Sequence, residues 1–292
     1  MNLPGGAADF EIRPLTTIQE YRACVELQEE TWGEGFSEGV PPAILKVSQL
    51  LGGICAGAYD AHGRMVGFVF GMTGPRDGEI VHWSDMLAVR AEGQNTGLGT
   101  RLKAYQREQL LARGVETMYW TFDPLQSRNA HVNFSKLGVV VREYEPDMYG
   151  DTDSPLHRGV GTDRFAARWL MSTERVATRL AGDQAAPSHE RFPDAQRVLG
   201  GDEVEGVVHP GTPDLGNSSD QLLVAIPADI LEIMTRSMDV AVQWRQATRA
   251  VLMHYLSAGY EVCELLRAGP TSDYLLKRWE STNRAHLIVE DV

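Results

Sequence analysis

Apolar and polar residues fall into short runs separated by turns rich in glycine and proline. Phe10 to Arg13 alternates apolar and charged residues and reads as a first strand. Thr16 or Thr17 supplies a cap for a helix reaching about Trp32, with Ile18, Tyr21, Val25 and Leu27 among its apolar positions. Gly33 to Gly39 breaks it, and Pro41-Pro42 opens a short second helix through Leu51. Ile54 to Tyr59 and Met65 to Met72 are β-prone runs joined by a turn containing Gly63, the pattern of a hairpin. Pro75-Arg76-Asp77-Gly78 makes the next turn and leads into a strand with Ile80, Val81, Trp83, Leu87 and Val89. A helix follows over Thr100 to Arg113, with Leu98, Leu102, Tyr105 and Ala112 spaced for one face and Gly114 beyond its end.

Val115 to Phe122 is β-branched and aromatic along much of its length, as expected of a strand covered on both faces, and Asp123-Pro124 stops it. Ala130, Phe134 and Leu137 mark a short helix closed by Gly138. Val139 to Tyr149 and Asp163 to Met171 read as two further strands around a Gly150–Gly161 loop. Apolar periodicity then fades, and Gly, Pro, Asp and Ser become frequent from Ser172 to Asp220. Beyond that lie a strand at Leu222 to Pro227, a strongly helical stretch from Asp229 to Tyr260, and two strands, Glu261 to Arg267 and Asp273 to Arg278. The expected class is α/β (α+β): a central mixed, mostly antiparallel sheet flanked by helices, with a smaller C-terminal α+β appendage. The expected division is a domain over 1–172, a linker or cover segment over 173–220 and a subdomain over 221–292. The appendage carries no motif assignable to chemistry; it could pair subunits as a homodimer or close over an acceptor pocket.

Composition removes several function classes. The chain has 292 residues and no run of eighteen apolar ones, so no membrane span is expected. Met1 to Asp9 lacks basic residues and an apolar core, so it does not read as a secretory signal, and the expected location is cytoplasmic. A net charge of −13 would repel a polyanion, which argues against nucleic acid as substrate. Cys24, Cys55 and Cys263 lie far apart in apolar surroundings and read as reduced core thiols. The eight histidines form no H-x-x-x-H pair, and no metal is expected.

The chemistry concentrates in Ile80 to Gly99, where a strand feeds the turn Gln94-Asn95-Thr96-Gly97-Leu98-Gly99 and a helix begins at once. Turn amides and the positive end of a helix dipole converge there, which outlines a phosphate site. A Walker loop is excluded because no Gly-Lys follows. A dinucleotide fingerprint finds Gly97 and Gly99, with Asp123 as the distant acid, but Leu102 stands at the third glycine position. The third reading, a coenzyme A pyrophosphate loop of the form Q/R-x-x-G-x-G/A, is matched throughout Gln94 to Gly99.

With the strand before this loop and the helix, strand and Lys136-Leu137-Gly138 helix end after it, the chain resembles the GNAT superfamily of acyl-CoA-dependent N-acyltransferases over roughly residues 10 to 172. Thr121-Phe122-Asp123-Pro124-Leu125 followed by Ser127-Arg128-Asn129-Ala130-His131 resembles a bacterial subgroup of predicted acetyltransferases, some of whose members N-succinylate amino acids. The resemblance implies a GNAT fold and acetyl-CoA or succinyl-CoA as co-substrate. It places the pantetheine arm along Leu87, Ala88 and Val89 and the pyrophosphate on the amides of Gln94, Asn95, Thr96, Gly97, Leu98, Gly99 and Thr100. It extends the cofactor contacts to Asn129 and Phe134.

Amide formation from a thioester also needs an amine that loses a proton and a thiolate that gains one. Asp85, on the same side as Leu87 in an ideal strand, is the candidate base; His82 falls on the opposite side unless a bulge intervenes. His131 suits either role. The family tyrosine that protonates the thiolate is replaced by Phe134, so Tyr149, Tyr144, His131 or water must serve. For the acceptor, an amino acid's carboxylate would take Arg128, with Arg76 and Arg164 next, and Asp123 could bind its ammonium. The helices near the N-terminus line the acceptor side in this family, which brings in Trp32. The expected activity is transfer of an acetyl or succinyl group to a primary amine by direct attack in a ternary complex. The rival is a non-catalytic acyl-CoA-binding or protein-interaction module.

Overall fold

The computed structural model describes residues 10–34, 36, 38–150, 159–182 and 187–279. Met1 to Asp9 and most of the Gly150–Gly161 loop lie outside these residues. The chain packs as two compact units, one built from residues through Trp120 with Leu170–Ser172, the other from Thr121–Trp169 and Thr173 onward.

The first unit begins with β1 (Glu11–Pro14) and α1 (Ile18–Trp32). Thr17 caps α1 by accepting from the Glu20 amide, while the Glu20 carboxylate takes the Thr17 amide at 2.9 Å, a reciprocal capping box. α2 (Pro42–Leu50) has a proline in its first turn, where no amide is needed. β2 (Ile54–Tyr59), β3 (Met65–Arg76) and β4 (Glu79–Val89) then form antiparallel neighbours in the order β1-β2-β3-β4. Asp77 and Gly78, both at positive φ, make the tight turn between β3 and β4. α3 (Leu98–Leu111) leads to β5 (Thr117–Phe122), which runs parallel to β4. Tyr21, Cys24 and Leu27 of α1 and Leu45 of α2 pack with Phe68, Phe70, Met86 and Ala88 into a core on one face of the sheet. Leu98, Leu102 and Leu110 of α3 are fully buried. The apolar stripe expected on α3 is only partly right: Lys103 and Gln106 take buried places, Tyr105 is half-buried and Ala112 is exposed.

The second unit opens with α4 (Ser127–His131), which widens into a π-type turn over Val132–Leu137 before Gly138 ends it. β6 (Val140–Glu145) and β7 (Arg164–Leu170) are shorter than the strands expected there. The stretch expected to be a linker holds α5 (Glu174–Ala181), β8 (Gln196–Leu199) and the hairpin of β9 (Gly201–Val204) and β10 (Val207–Pro210). β11 (Gln221–Pro227) follows. The long helix splits into α6 (Ile230–Arg236) and α7 (Met238–Ser257), because Ser237 is extended and its hydroxyl caps the new start at Val240. β12 (Tyr260–Ala268) and β13 (Thr271–Arg278) complete the order β7-β6-β12-β13-β11-β8, antiparallel except that β8 runs parallel to β11. Phe122, Phe134, Phe165 and Tyr274 meet edge to face in the core of this unit, at centroid distances from 5.3 to 6.0 Å. Both units together give a mixed α/β protein with mostly antiparallel strands. The three cysteines are buried free thiols, as expected.

Candidate functional site

β4 carries a bulge that decides where its side chains go. Phe70 pairs with Met86 and Gly71 with Ser84, so Asp85 is the extra residue. Before the bulge, His82 and Ser84 turn to α3, where they meet Gln106 and Lys103. After it, Leu87 turns to α3, close to Gly99, while Met86 and Ala88 join the core under α1 and α2. Strand parity alone had placed Asp85 beside Leu87 and His82 opposite; the bulge reverses both relations. Asp85 is exposed on the α1–α2 face, yet the protein packed around its carboxyl raises its pKa above the ordinary value, with the charge of Glu38 as the second cause.

His82 is fully buried, and its tautomer follows from counting donors. The Thr73 hydroxyl donates to Gly52 O at 3.0 Å, so at 2.9 Å it accepts from His82 Nδ1–H. Nε2 then accepts from the Gln106 amide at 3.2 Å. Gln106 Oε1 receives the Ser84 hydroxyl at 2.9 Å, and Ser84 Oγ receives the Lys103 amine at 2.7 Å. Burial, then the charges of Lys103 and Arg113, push the imidazole down to about 3. His82 is thus a neutral structural residue with both ring nitrogens occupied. Gly71 opposite is obligatory, since a Cβ there would stand 2.3 Å from His82 Nε2.

The parallel ladder between β4 and β5 takes in His82–Met118 and Trp83–Tyr119; from Ser84 to Val89 that edge of β4 carries no ladder among the described residues. The loop beyond turns through Asn95 (φ 60°) and Gly97 (φ 83°), and Gly97 stands at the cap of α3. The Gln94 amide is used by Ala91 O and that of Arg101 by Gly97 O. The amides of Asn95, Thr96, Gly97, Leu98, Gly99 and Thr100 take no partner among the described residues. Six donors and the positive end of a fourteen-residue helix can hold an anion. The Gln94 side chain is held inside the loop, donating to Val89 O at 3.1 Å. Leu98 is buried, so its part is packing plus its amide. Trp32, 39% exposed at the end of α1, stacks on Phe36 at 5.4 Å and meets Phe68 edge-on.

The remaining predicted residues belong to the second unit. Asp123 is buried, accepts from a single terminal nitrogen of Arg245, Nη2, on both carboxylate oxygens at 2.8 and 2.9 Å, and takes the Leu125 amide. That geometry makes it a structural carboxylate, and the ammonium role considered for it has no geometric support. Arg128 projects outward, its side chain 88% exposed, with Asp229 at 3.7 Å. Arg164 lies over the ring of Tyr149 and 4.0 Å from Asp123. Asn129 is exposed and receives the Asn133 amide at 3.2 Å. Phe134 is fully buried against Phe122 and Tyr274, a core residue with no hydroxyl to give. His131 is half-buried; burial, then Arg267 and Lys136, lowers its pKa, which keeps it neutral near pH 7. Tyr149 is exposed and its hydroxyl lies 3.0 Å from that of Thr121. Tyr144 is buried and donates to Asp163; burial first, then that carboxylate, holds it far above the ordinary phenol range. Among the described residues no group of His, Cys, Asp and Glu is arranged to hold a metal ion.

Sequence reasoning missed Ser84, Lys103 and Gln106, whose only trace was a pair of polar residues at buried helix positions. It also missed Arg245, which nothing local connects to Asp123.

No protein-family model matches the chain, and no curated protein matches it in sequence. Solved structures to which part of the chain is similar include the ribosomal-protein-S18-alanine N-acetyltransferase from Escherichia coli, at 18% identity and a TM-score of 0.44 over 56% of this chain and 96% of that one. An acetyltransferase of the GNAT family from Streptococcus pneumoniae gives 16% and 0.44 over 56% and 99%. A phosphinothricin acetyltransferase from Sinorhizobium meliloti, solved with acetyl-CoA, gives 13% and 0.43 over 55% and 86%.

Proposed function

We propose that the protein is an acyl-CoA-dependent N-acyltransferase of the GNAT type, moving an acetyl or succinyl group to a primary amine such as an amino acid. The observation that carries this reading is the loop from Gln94 to Thr100, where unpartnered amides, an αL glycine and a helix N-terminus meet directly after a strand whose ladder to β5 stops short. Such a loop suits a diphosphate, and an open strand edge suits the two amides of a pantetheine arm. Asp85 stands on the bulged strand with a raised carboxyl pKa, which strengthens it as an acceptor for the amine proton. The freed amine attacks the thioester carbonyl, the C–N bond forms, the C–S bond breaks, coenzyme A leaves as a thiolate, and the second proton that the nitrogen sheds passes to water and on to the thiolate. Water can protonate that thiolate, and the Tyr149 phenol is the side-chain candidate on chemical grounds alone; His131, held neutral, has no acid proton to give. No cysteine is exposed for an acyl-enzyme among the described residues, which favours direct attack.

Calorimetry with acetyl-CoA, succinyl-CoA and NAD, followed by release of free coenzyme A in the presence of amine panels, tests the proposal. Binding of an acyl-CoA with amine-dependent release is expected. Binding without release would favour a non-catalytic module, and affinity for NAD alone would end the reading.

A further inference from the structure

The face of the first unit's sheet turned away from α3 carries an aromatic ledge. Lys103 of α3 stands 3.9 Å over the Trp120 ring, so the alternation of β5 sends Tyr119 to the other face. His82 and Ser84 face α3, so Trp83 shares the face of Tyr119. Trp83 and Tyr119 are partners in the ladder, and their rings lie nearly parallel, 17° apart with centroids at 6.4 Å. The Arg76 guanidinium lies 4.3 Å from the Tyr119 ring and steadies it by a cation–π contact. Tyr119 is buried and Trp83 remains partly open, so Trp83 presents the surface and Tyr119 supports it. Along the strand the next outward group is Asp85, with Glu38 near enough to raise its pKa. Past Asp85, the second stacked pair on this face is Trp32 with Phe36. An exposed acid that shares a sheet face with two aromatic pairs, one with the exposed Trp32 and the other with the partly open Trp83, offers stacking surface and negative charge to something flat and cationic.

We propose that the acceptor is an amine carrying an aromatic ring, which stacks on Trp83 while its ammonium lies against Asp85. This rests on the acyltransferase reading and narrows its acceptor class. Trp83 and Tyr119 are specificity-determining residues here. Trp32 and Phe36 offer a second wall, and Glu38 adds a negative charge that draws the ammonium in.

Full-length protein, with and without coenzyme A, is titrated with matched pairs: phenylalanine against leucine, and phenethylamine against isopentylamine. Tryptophan fluorescence and calorimetry report binding, and coenzyme A release from acetyl-CoA reports transfer. Both aromatic members are expected to bind roughly tenfold tighter than their aliphatic partners, the equivalent of about 1.4 kcal/mol of stacking. Trp83→Leu should erase that preference and Trp83→Phe should keep most of it. A wild-type protein indifferent to the ring, or a Trp83→Leu variant that keeps the preference, would overturn the proposal. Aromatic binding without acyl-CoA binding would leave the ledge standing and remove the acyltransferase. Transfer to both members of each pair at equal efficiency would do the reverse.

Discussion

The side-chain amine of Lys103 lies 2.7 Å from the Ser84 hydroxyl and 3.9 Å from the centre of the Trp120 ring, and neither neighbour carries a negative charge. Burial alone lowers its pKa to about 7. The unfolded chain keeps that proton up to the ordinary lysine range, so between about pH 7 and 10 it binds more protons than the folded one. Folding stability from this site therefore rises with pH in that window, by no more than about 1.4 kcal/mol per pH unit. Lys103→Met should flatten the rise, and its gain over the wild type should be largest at or below neutral pH. Urea unfolding of both proteins across the window checks it.

Gly97 and Gly99 should respond differently to alanine. Gly97 has φ 83°, a left-handed conformation that costs a residue with Cβ about 1–2 kcal/mol. Gly99 sits in the first turn of α3, and a Cβ there would meet Leu87 at 3.7 Å, an ordinary contact. Gly97→Ala should lose stability and acyl-CoA affinity together. Gly99→Ala should be neutral or gain up to about 1 kcal/mol from helix propensity. Denaturant midpoints and calorimetry separate the two.

Asp85→Asn should lower amine-dependent coenzyme A release by about 10²- to 10⁴-fold, the usual range for a lost general base, with acyl-CoA affinity preserved. Only the ionised carboxylate accepts a proton, so activity should fall on the acid side as pH drops through the raised pKa of Asp85. Glu38→Gln removes the second cause of that rise and should move the acid limb to lower pH. The pH profile of kcat/KM is the measurement.

Asp123→Ala should cost about 3–5 kcal/mol, because it leaves the Arg245 guanidinium buried without its counter-charge. One terminal nitrogen of Arg245 already lacks a partner among the described residues, so little remains to absorb the loss. Thermal unfolding checks the size, and unaltered amine binding by the folded fraction would show that Asp123 is not an acceptor ligand.

Much of the architecture was legible because its signals are local. A threonine before the first helix, Pro42 in a first turn, Asp77-Gly78 between alternating runs and Gly97 before an amphipathic run each depend on neighbours within a few residues. The break at Ser237 went unread because the apolar stripe of α7 continues the pattern of α6. The strands between Ser172 and Asp220 are four residues each and half-polar, and β8 pairs with the later β11, so the stretch looked like a linker. In the candidate site, the glycine loop was readable from six consecutive residues. Asp123 was misjudged because its partner, Arg245, is remote in sequence. Phe134 was read by its place before Gly138, whereas packing with Tyr274 decides its role.

A single-residue deletion at Asp85 would be a folding lesion before it was an active-site lesion. Without the extra residue the ribbon could not serve both halves of β4. If His82 and Ser84 kept their place under α3, Leu87 would be carried off Gly99 to the far side and Met86 and Ala88 out of the apolar core. If the distal half held instead, a neutral histidine and a serine would be turned out of their hydrogen-bonded chain, and Lys103 would face the interior alone.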